Sequence, residues 1–172
     1  MGIQRSVVAV PARLQSSRLP NKVLADIGGK PMIRRVLEQC AQASAPDLVV
    51  LCTDSTLLRE LAIGWGFPVV LTAEHCSSGS ERIASVADQL VGMAWEERPG
   101  DWDKEMLQAR LASTAVINVQ GDQPFLDPAV LTAMVTAFCC DGAVPAVVTP
   151  VYRLKPESIH NPAVVKTLLT HD

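Results

Sequence analysis

Short apolar runs alternate with helix patterns along most of this 172-residue chain. Four runs, at residues 7–10, 48–52, 68–71 and 115–119, have the length and the Val, Leu and Ile content of strands buried on both faces. Apolar residues recur at helical spacing between and after them, and predict helices at 31–40, 54–64, 79–93 and 127–140. Strands joined by crossover helices predict an α/β fold with a mostly parallel sheet and helices on both faces.

The remaining segments are assigned less regular roles. Residues 144–151 and 163–169 resemble further strands, and residues 92–113 are predicted to form a surface excursion with a short helix at 104–111. The length and the 48% apolar content fit one domain over 1–172.

A basic loop follows the first predicted strand. Pro11 lacks an N–H and is predicted to end that strand, and Arg13, Arg18 and Lys22 follow it together with Ser16 and Ser17. We call residues 13–22 the basic loop. In open α/β sheets ligands bind at the carboxyl ends of strands, so these cations are predicted to converge on an anion.

The distribution of charge supports an anionic ligand. The first 35 residues hold seven of the 15 Lys and Arg residues and one of the 18 acidic residues, so they carry +6 and the remainder carries −9. An acidic protein with one basic end suggests a local polyanion such as a polyphosphate. With three Phe and one Tyr, and none in the basic loop, binding of nucleic acid by base stacking is not expected.

The cysteine spacing and the length of the apolar runs bear on three further features: a zinc site, a membrane span and a signal peptide. Five Cys residues without CxxC spacing suggest reduced thiols rather than a zinc site, and no His pairs with them at ligand spacing. No apolar run approaches the length of a membrane span, and the N-terminus has no signal-peptide pattern, so a cytoplasmic location is expected.

Two further segments follow strands or open helices near the expected ligand site. In NVQGDQP, at 118–124, Gly121 permits a turn after which Asp122 either holds Mg²⁺ or caps the turn ahead of the next helix. SGSER, at 78–82, has the capping-box pattern, in which Ser78 accepts from the backbone near Glu81 and Glu81 reaches back. Arg82 is a candidate for binding a carboxylate.

Five segments together carry a family resemblance: PARLQSSRLPNK at 11–22, GGKPMI at 28–33, SGSER at 78–82, NVQGDQP at 118–124 and NPAVVK at 161–166. Over nearly the whole chain they resemble the 3-deoxy-manno-octulosonate cytidylyltransferases, or CMP-Kdo synthetases. The resemblance implies a Rossmann-like, nucleotide-diphospho-sugar transferase-like fold. It also implies activation of the sugar acid Kdo with CTP and Mg²⁺ for lipopolysaccharide synthesis, in a homodimer.

The resemblance also implies roles for individual residues. The expected nucleotide-binding residues are Ala12, Arg13, Ser16, Arg18, Lys22, Ser78 and Gly79. Arg82 and Gln120 would contact the sugar acid, and Asp122 would be a Mg²⁺ ligand. Arg13 and Lys22, nearest the reacting phosphate, would act in catalysis with Asp122. The transfer needs no covalent nucleophile.

The chain departs from the family pattern at five positions: Asn21 for Gly, Val23 for Pro, Cys76 for His, Ser80 for Thr and Gln123 for an acidic residue. Family members continue past the 161–166 segment into a region that supplies a second Mg²⁺ carboxylate, more Kdo contacts and much of the dimer interface. Three hypotheses therefore stand: a Kdo cytidylyltransferase represented by its N-terminal portion, a nucleotide- or partner-binding remnant without turnover, and a cytidylyltransferase for another sugar acid such as sialic acid.

Overall fold

The computed structural model describes residues 2–15, 20–139, 147–162 and 167. Within these ranges, strands alternate with α-helices as the sequence predicts. In chain order the elements are β1 (Arg5–Ala12), α1 (Met32–Cys40), β2 (Leu48–Thr53), α2 (Thr56–Gly64), β3 (Val69–Leu71), α3 (Gly79–Ala84), α4 (Ala87–Trp95), α5 (Lys104–Ala112), β4 (Thr114–Asn118) and α6 (Pro128–Phe138). Short 3₁₀ helices occur at Lys22–Leu24, Pro99–Asp101 and Pro156–Ser158.

The four strands form one parallel sheet in the order β3-β2-β1-β4. β1 lies between β2 and β4, and its Val7 is opposite Leu48 of β2 and Val116 of β4. The carboxyl ends of β1 and β4 therefore lie side by side, and the loops that follow them share one edge of the sheet.

Alternate residues of β1 face two separate cores. Val8 and Val10 pack in a cluster with residues of α1, α2 and α6, including Leu37, Leu58 and Leu131. Val7 and Ala9 pack in a second cluster with residues of α3 and α4, including Ile83 and Leu90. Helices cover both faces of the parallel sheet, which confirms the predicted fold class.

The prediction of one continuous helix over 79–93 is wrong. The segment is divided into α3 and α4 at Ser85 and Val86. Val86 leaves the helical conformation, with φ −129° and ψ 21°, and its side chain is buried in the second cluster. The Ser85 hydroxyl donates to the Arg82 carbonyl at 2.8 Å, a local bond by which serine competes with regular helix.

The prediction that β1 ends at Pro11 is also wrong, because β1 continues to Ala12 and pairs with β2 through Pro11 and Ala12. The Val119 N–H donates to the Ala9 carbonyl, so Pro11, two residues further on, faces the same side. Pairing with β4 has already ended there, at Ala9 and Asn118. The missing N–H of Pro11 therefore leaves no ladder bond unmade.

The last predicted strands differ from the structure or lie outside it. Residues 147–151 form no strand, while 144–146 and almost all of 163–169 lie outside the described residues. The 92–113 segment begins inside α4, where Gly92 and Ala94 are buried, and continues into α5, close to the predicted 104–111 helix. In the described part of the chain, no helix has both the length and the apolar character needed to span a bilayer.

Candidate functional site

A pocket of about 520 Å³ opens at the carboxyl ends of β1 and β4, and we call it the strand-end pocket. Three stretches of chain line it: Pro11, Ala12, Arg13, Gln15, Lys22 and Val23; Cys76, Ser77, Ser78, Gly79 and Arg82; and Gln120, Gly121 and Asp122. This is the position at which open α/β sheets bind ligands, and the three stretches are the ones that the sequence predicts to meet there.

The first stretch runs from β1 into the basic loop. Arg13 is exposed, whereas Leu14 packs against the core, which anchors the start of the loop. The loop closes where the Asn21 N–H donates to the Leu14 carbonyl at 3.1 Å. Asn21 has φ 55°, a left-handed conformation that Gly and Asn adopt most readily. Lys22, the next residue, lines the strand-end pocket, and Val23 after it is buried.

The second stretch is the N-terminal cap of α3. The Ser78 hydroxyl accepts from the Glu81 N–H at 3.1 Å, as predicted. The Glu81 carboxylate reaches back to Ser77, one residue earlier than a standard capping box, and accepts from its N–H at 2.7 Å and from its hydroxyl. These bonds from Ser77 lower the pKa of Glu81 below its usual 4.5, so the cap carries a carboxylate at neutral pH.

Two glycines allow the three stretches to approach one another at Pro11. A Cβ atom on Gly79 would lie 2.9 Å from Pro11 Cγ, and one on Gly121 would lie 3.0 Å from the Pro11 carbonyl oxygen. Gln120, beside Gly121, donates to the Asn118 side chain at 2.9 Å. A larger residue at either glycine would force the walls of the strand-end pocket apart.

The charged groups of the strand-end pocket are unevenly paired. Lys22 Nζ lies 2.7 Å from Asp122 Oδ2, and both side chains are partly exposed. Arg13 makes no hydrogen bond or ion pair within the described residues. The lining thus contains three cations, at Arg13, Lys22 and Arg82, and one carboxylate, at Asp122. This excess of positive charge suits a polyanionic ligand.

Arg82 is predicted to bind a substrate carboxylate, but in the structure the carboxylate that it binds is Asp54. Its side chain is 3% exposed, and its Nη2 donates to Asp54 Oδ2 at 2.7 Å. Its Nη1 donates to the Thr72 hydroxyl and, at 3.2 Å, to the Ala73 carbonyl. Arg82 therefore ties α3 to the chain that follows β2 and β3. Its contact with a sugar acid stays a prediction.

Of the predicted site residues, Ala12, Arg13, Lys22, Ser78, Gly79, Arg82, Gln120 and Asp122 line the strand-end pocket. Ser16 and Arg18 lie outside the described residues. Gln15, Cys76 and Ser77 also line the pocket although the sequence assigns them no role there. Each is adjacent to an assigned residue or within two positions of one, and this proximity is the sequence signal that could have identified them as site residues.

The carboxylate of Asp122 suits Mg²⁺, a metal ion that phosphates also bind. No group of three or more His, Cys, Asp or Glu side chains in the described ranges is placed to hold a metal ion. Asp122 Oδ2 pairs with a cation, the Lys22 ammonium, rather than capping its own turn. Mg²⁺ is often held by one or two carboxylates together with substrate phosphates and water, so a single exposed carboxylate suits it.

The Cys40 and Cys52 thiols offer no nucleophile. Burial raises the pKa of Cys40 and of Cys52 to about 12, so both thiols are protonated at neutral pH.

Curated relatives match almost the whole chain. They include 3-deoxy-manno-octulosonate cytidylyltransferases from Chloroherpeton thalassium, 34% identical over 95% of this chain and 59% of the relative, and from Methylococcus capsulatus, 37% identical over 94% and 55%. The relative from Francisella tularensis subsp. novicida is 42% identical over 69% of this chain and 40% of its own. The matched part of the chain thus spans between two fifths and three fifths of the length of these relatives.

Solved structures match the fold. A CMP:2-keto-3-deoxy-manno-octonic acid synthetase complexed with CTP superimposes with a TM-score of 0.62 at 29% identity, over 83% of this chain and 50% of that one. A cytidylyltransferase from Leptospira borgpetersenii gives a TM-score of 0.57 at 20% identity, over 78% and 48%. The family model described as cytidylyltransferase matches residues 7–172. The chain belongs to the cytidylyltransferase family.

Proposed function

We propose that this chain forms the nucleotide-binding part of a 3-deoxy-manno-octulosonate cytidylyltransferase, which converts CTP and Kdo to CMP-Kdo and diphosphate. The observation that carries the proposal is the convergence of the basic loop, the α3 cap and the turn at Asp122 on one pocket of about 520 Å³. The relatives that share most of this chain carry that name.

The triphosphate is the ligand group that best fits the cations of the strand-end pocket. Arg13, with no partner in the described part of the chain, offers its guanidinium to phosphate oxygens in a bidentate manner. Lys22 contributes a second, point-like positive charge. Ser16 and Arg18, in the same basic loop, are proposed to add contacts, together with Ala12, Ser78 and Gly79. Arg82 and Gln120 are proposed to face the sugar acid.

The proposed reaction is an in-line displacement at the α-phosphorus by the anomeric hydroxyl of Kdo, with diphosphate as the leaving group. Its catalysis requires positioning and neutralisation of charge rather than a covalent intermediate. Arg13 and Lys22 would hold the phosphates in place and offset the charge that develops on the leaving group. Asp122 would hold Mg²⁺, which would supply further positive charge to neutralise the phosphates.

The test is release of diphosphate from CTP by the purified chain with Mg²⁺ and Kdo. We expect Kdo-dependent release that Asp122→Asn abolishes. CTP binding without release at saturating Kdo would instead support the alternative, a nucleotide-binding remnant. Release with sialic acid but not with Kdo would assign another sugar acid. Failure of CTP to bind at all would overturn the proposal.

The wider assignments depend on the same reaction. If the chain activates Kdo, its place is in lipopolysaccharide synthesis, as the resemblance implies, and we propose a cytoplasmic location for it. A homodimer is likewise proposed from the family. Sedimentation of the purified chain at several concentrations would test it.

A further inference from the structure

The Lys22–Asp122 ion pair joins two groups that the proposed function needs separately. Lys22 belongs to the basic loop, proposed to hold phosphates, and Asp122 is the proposed metal ligand. Their side chains meet at 2.7 Å across the strand-end pocket, although they are 100 residues apart in the chain. In this arrangement the ammonium occupies one oxygen of the carboxylate that a divalent cation would use.

A divalent cation meets two obstacles at Asp122 while this pair is formed. The ammonium occupies Oδ2, and as long as it stays there its positive charge repels a cation that approaches the carboxylate. Few other protein ligands offset this, because the described residues contain no group of three or more His, Cys, Asp or Glu placed around a metal. Asp122 is therefore a weak metal site as long as Lys22 remains paired to it.

The same pair is easily exchanged for a better partner of Lys22. The two side chains are 39% and 47% exposed, and ion pairs this exposed contribute little stability. Phosphate oxygens carry more charge than one carboxylate and accept strongly from ammonium groups. Arg13, in the same lining, would anchor these phosphates beside Lys22.

We propose that Lys22 covers the cation site of Asp122 in the free protein and that nucleotide phosphates draw it away. Binding of the divalent cation is then coupled to binding of the nucleotide. The covering of Asp122 stands on the ion pair itself, whereas its release by a nucleotide rests on the proposed function.

The first experiment measures Mn²⁺ binding without nucleotide, from the loss of the free-ion electron paramagnetic resonance signal. Lys22→Met keeps the length of the side chain and removes its charge, and we expect it to raise Mn²⁺ affinity about tenfold. Adding Asp122→Asn should abolish that gain. Lys30→Met is the matched control, since Lys30 pairs with Glu38 at the same 2.7 Å and is also 39% exposed. It should leave Mn²⁺ affinity unchanged.

Equal Mn²⁺ affinity in Lys22→Met and the unaltered chain would overturn the proposal, as would a gain that persists with Asp122→Asn. A second experiment saturates each protein with CTP and subtracts the Mn²⁺ that free CTP binds. The Mn²⁺ affinity of the protein should then rise by a larger factor in the unaltered chain than in Lys22→Met. Equal factors in the two proteins would refute the coupling. If CTP binds to neither protein, the proposed function fails, while the first experiment still decides whether Lys22 covers Asp122.

Discussion

Two clusters of charged side chains differ in where their hydrogen bonds are directed. In the 92–113 segment, Arg110 donates twice to Glu97, at 2.6 and 3.0 Å, and its guanidinium lies 3.9 Å from the centre of the Trp95 ring. Trp102 also donates to Glu97, at 3.0 Å. In the strand-end pocket, Arg13 has no such partner among the described residues. Both regions contain cations, and Arg13 differs from Arg110 because the described part of the chain supplies no acceptor for it.

Arg82 tests this distinction most severely, because it lines the strand-end pocket yet is bound within the chain. Arg82→Met leaves the Asp54 carboxylate without its cation, and we expect the free energy of unfolding to fall by about 3 kcal/mol, measured by urea denaturation. Asp54→Asn in the same chain should restore part of this loss, because no lone charge remains.

A different result would move Arg82 into the ligand site. Unchanged stability of Arg82→Met, together with loss of Kdo binding, would mean that its main partner is the substrate, as the sequence predicts. Comparison of the single and double variants keeps the test decisive even if the single variant is poorly folded.

Replacement of Arg13 or of Arg110, the two arginines compared above, gives the next largest effects. Arg13→Ala removes a charge-assisted contact, so we expect CTP affinity to fall about 30-fold, or about 2 kcal/mol, with little change in stability. Arg110→Ala is the counterpart. It should lower the free energy of unfolding by about 1 kcal/mol, because the contacts of Arg110 with Glu97 and Trp95 are lost. Calorimetric titration with CTP and thermal unfolding measure the two effects.

The distinction fails if the two variants exchange their phenotypes. Unchanged CTP affinity in Arg13→Ala would refute its proposed role, and reduced CTP affinity in a stable Arg110→Ala would extend the ligand site to the 92–113 segment.

The same two regions each contain a non-glycine residue with positive φ, Asn21 at 55° and Glu96 at 56°. Asn tolerates this conformation better than Glu does. Glu96→Gly, at the end of α4, is therefore expected to raise the free energy of unfolding by about 1 kcal/mol. Asn21→Gly should change it by a few tenths of a kcal/mol. Urea denaturation of both variants measures the difference, and an equal gain at the two sites would contradict it.

Features set by local pattern were predictable from the sequence. Apolar periodicity placed α1, α2 and α6 within a few residues, and Asp127, the first residue of the predicted 127–140 helix, caps α6. Asn21 stands where the family has Gly, and its left-handed conformation gives the physical reason for that preference. Strand-end topology then brought the basic loop and Asp122 to one pocket.

Features set by tertiary contacts were not predictable from the sequence. The Arg82–Asp54 pair needs α3 to lie over the carboxyl ends of β2 and β3, which no local pattern encodes. Continuation of β1 through Pro11 depends on β4 pairing ending two residues earlier. The division between α3 and α4 depends on burial of Val86. In each case the local structure depends on contacts with residues that are distant in the sequence.

The smallest expected effect concerns the pH dependence of the α3 cap. Bonds from Ser77 lower the pKa of Glu81, and a group whose pKa is lowered by folding contributes stability above its ordinary value, here 4.5. That contribution is lost as the pH falls through the lowered folded pKa. The difference in melting temperature between the unaltered chain and Glu81→Gln should therefore be constant at neutral pH and shrink below pH 4.5.

Glu38 provides the control, because its pKa is also lowered, chiefly by the hydrogen bond from Lys30, and it lies outside the strand-end pocket. Glu38→Gln should show the same pH trend in melting temperature while leaving hydrogen exchange of the Glu81 amide unchanged. Glu81→Gln should speed that exchange at pH 7, since the bonds from Ser77 hold the cap in place. Equal exchange in both variants would show that the carboxylate of Glu81 does not maintain this wall of the pocket.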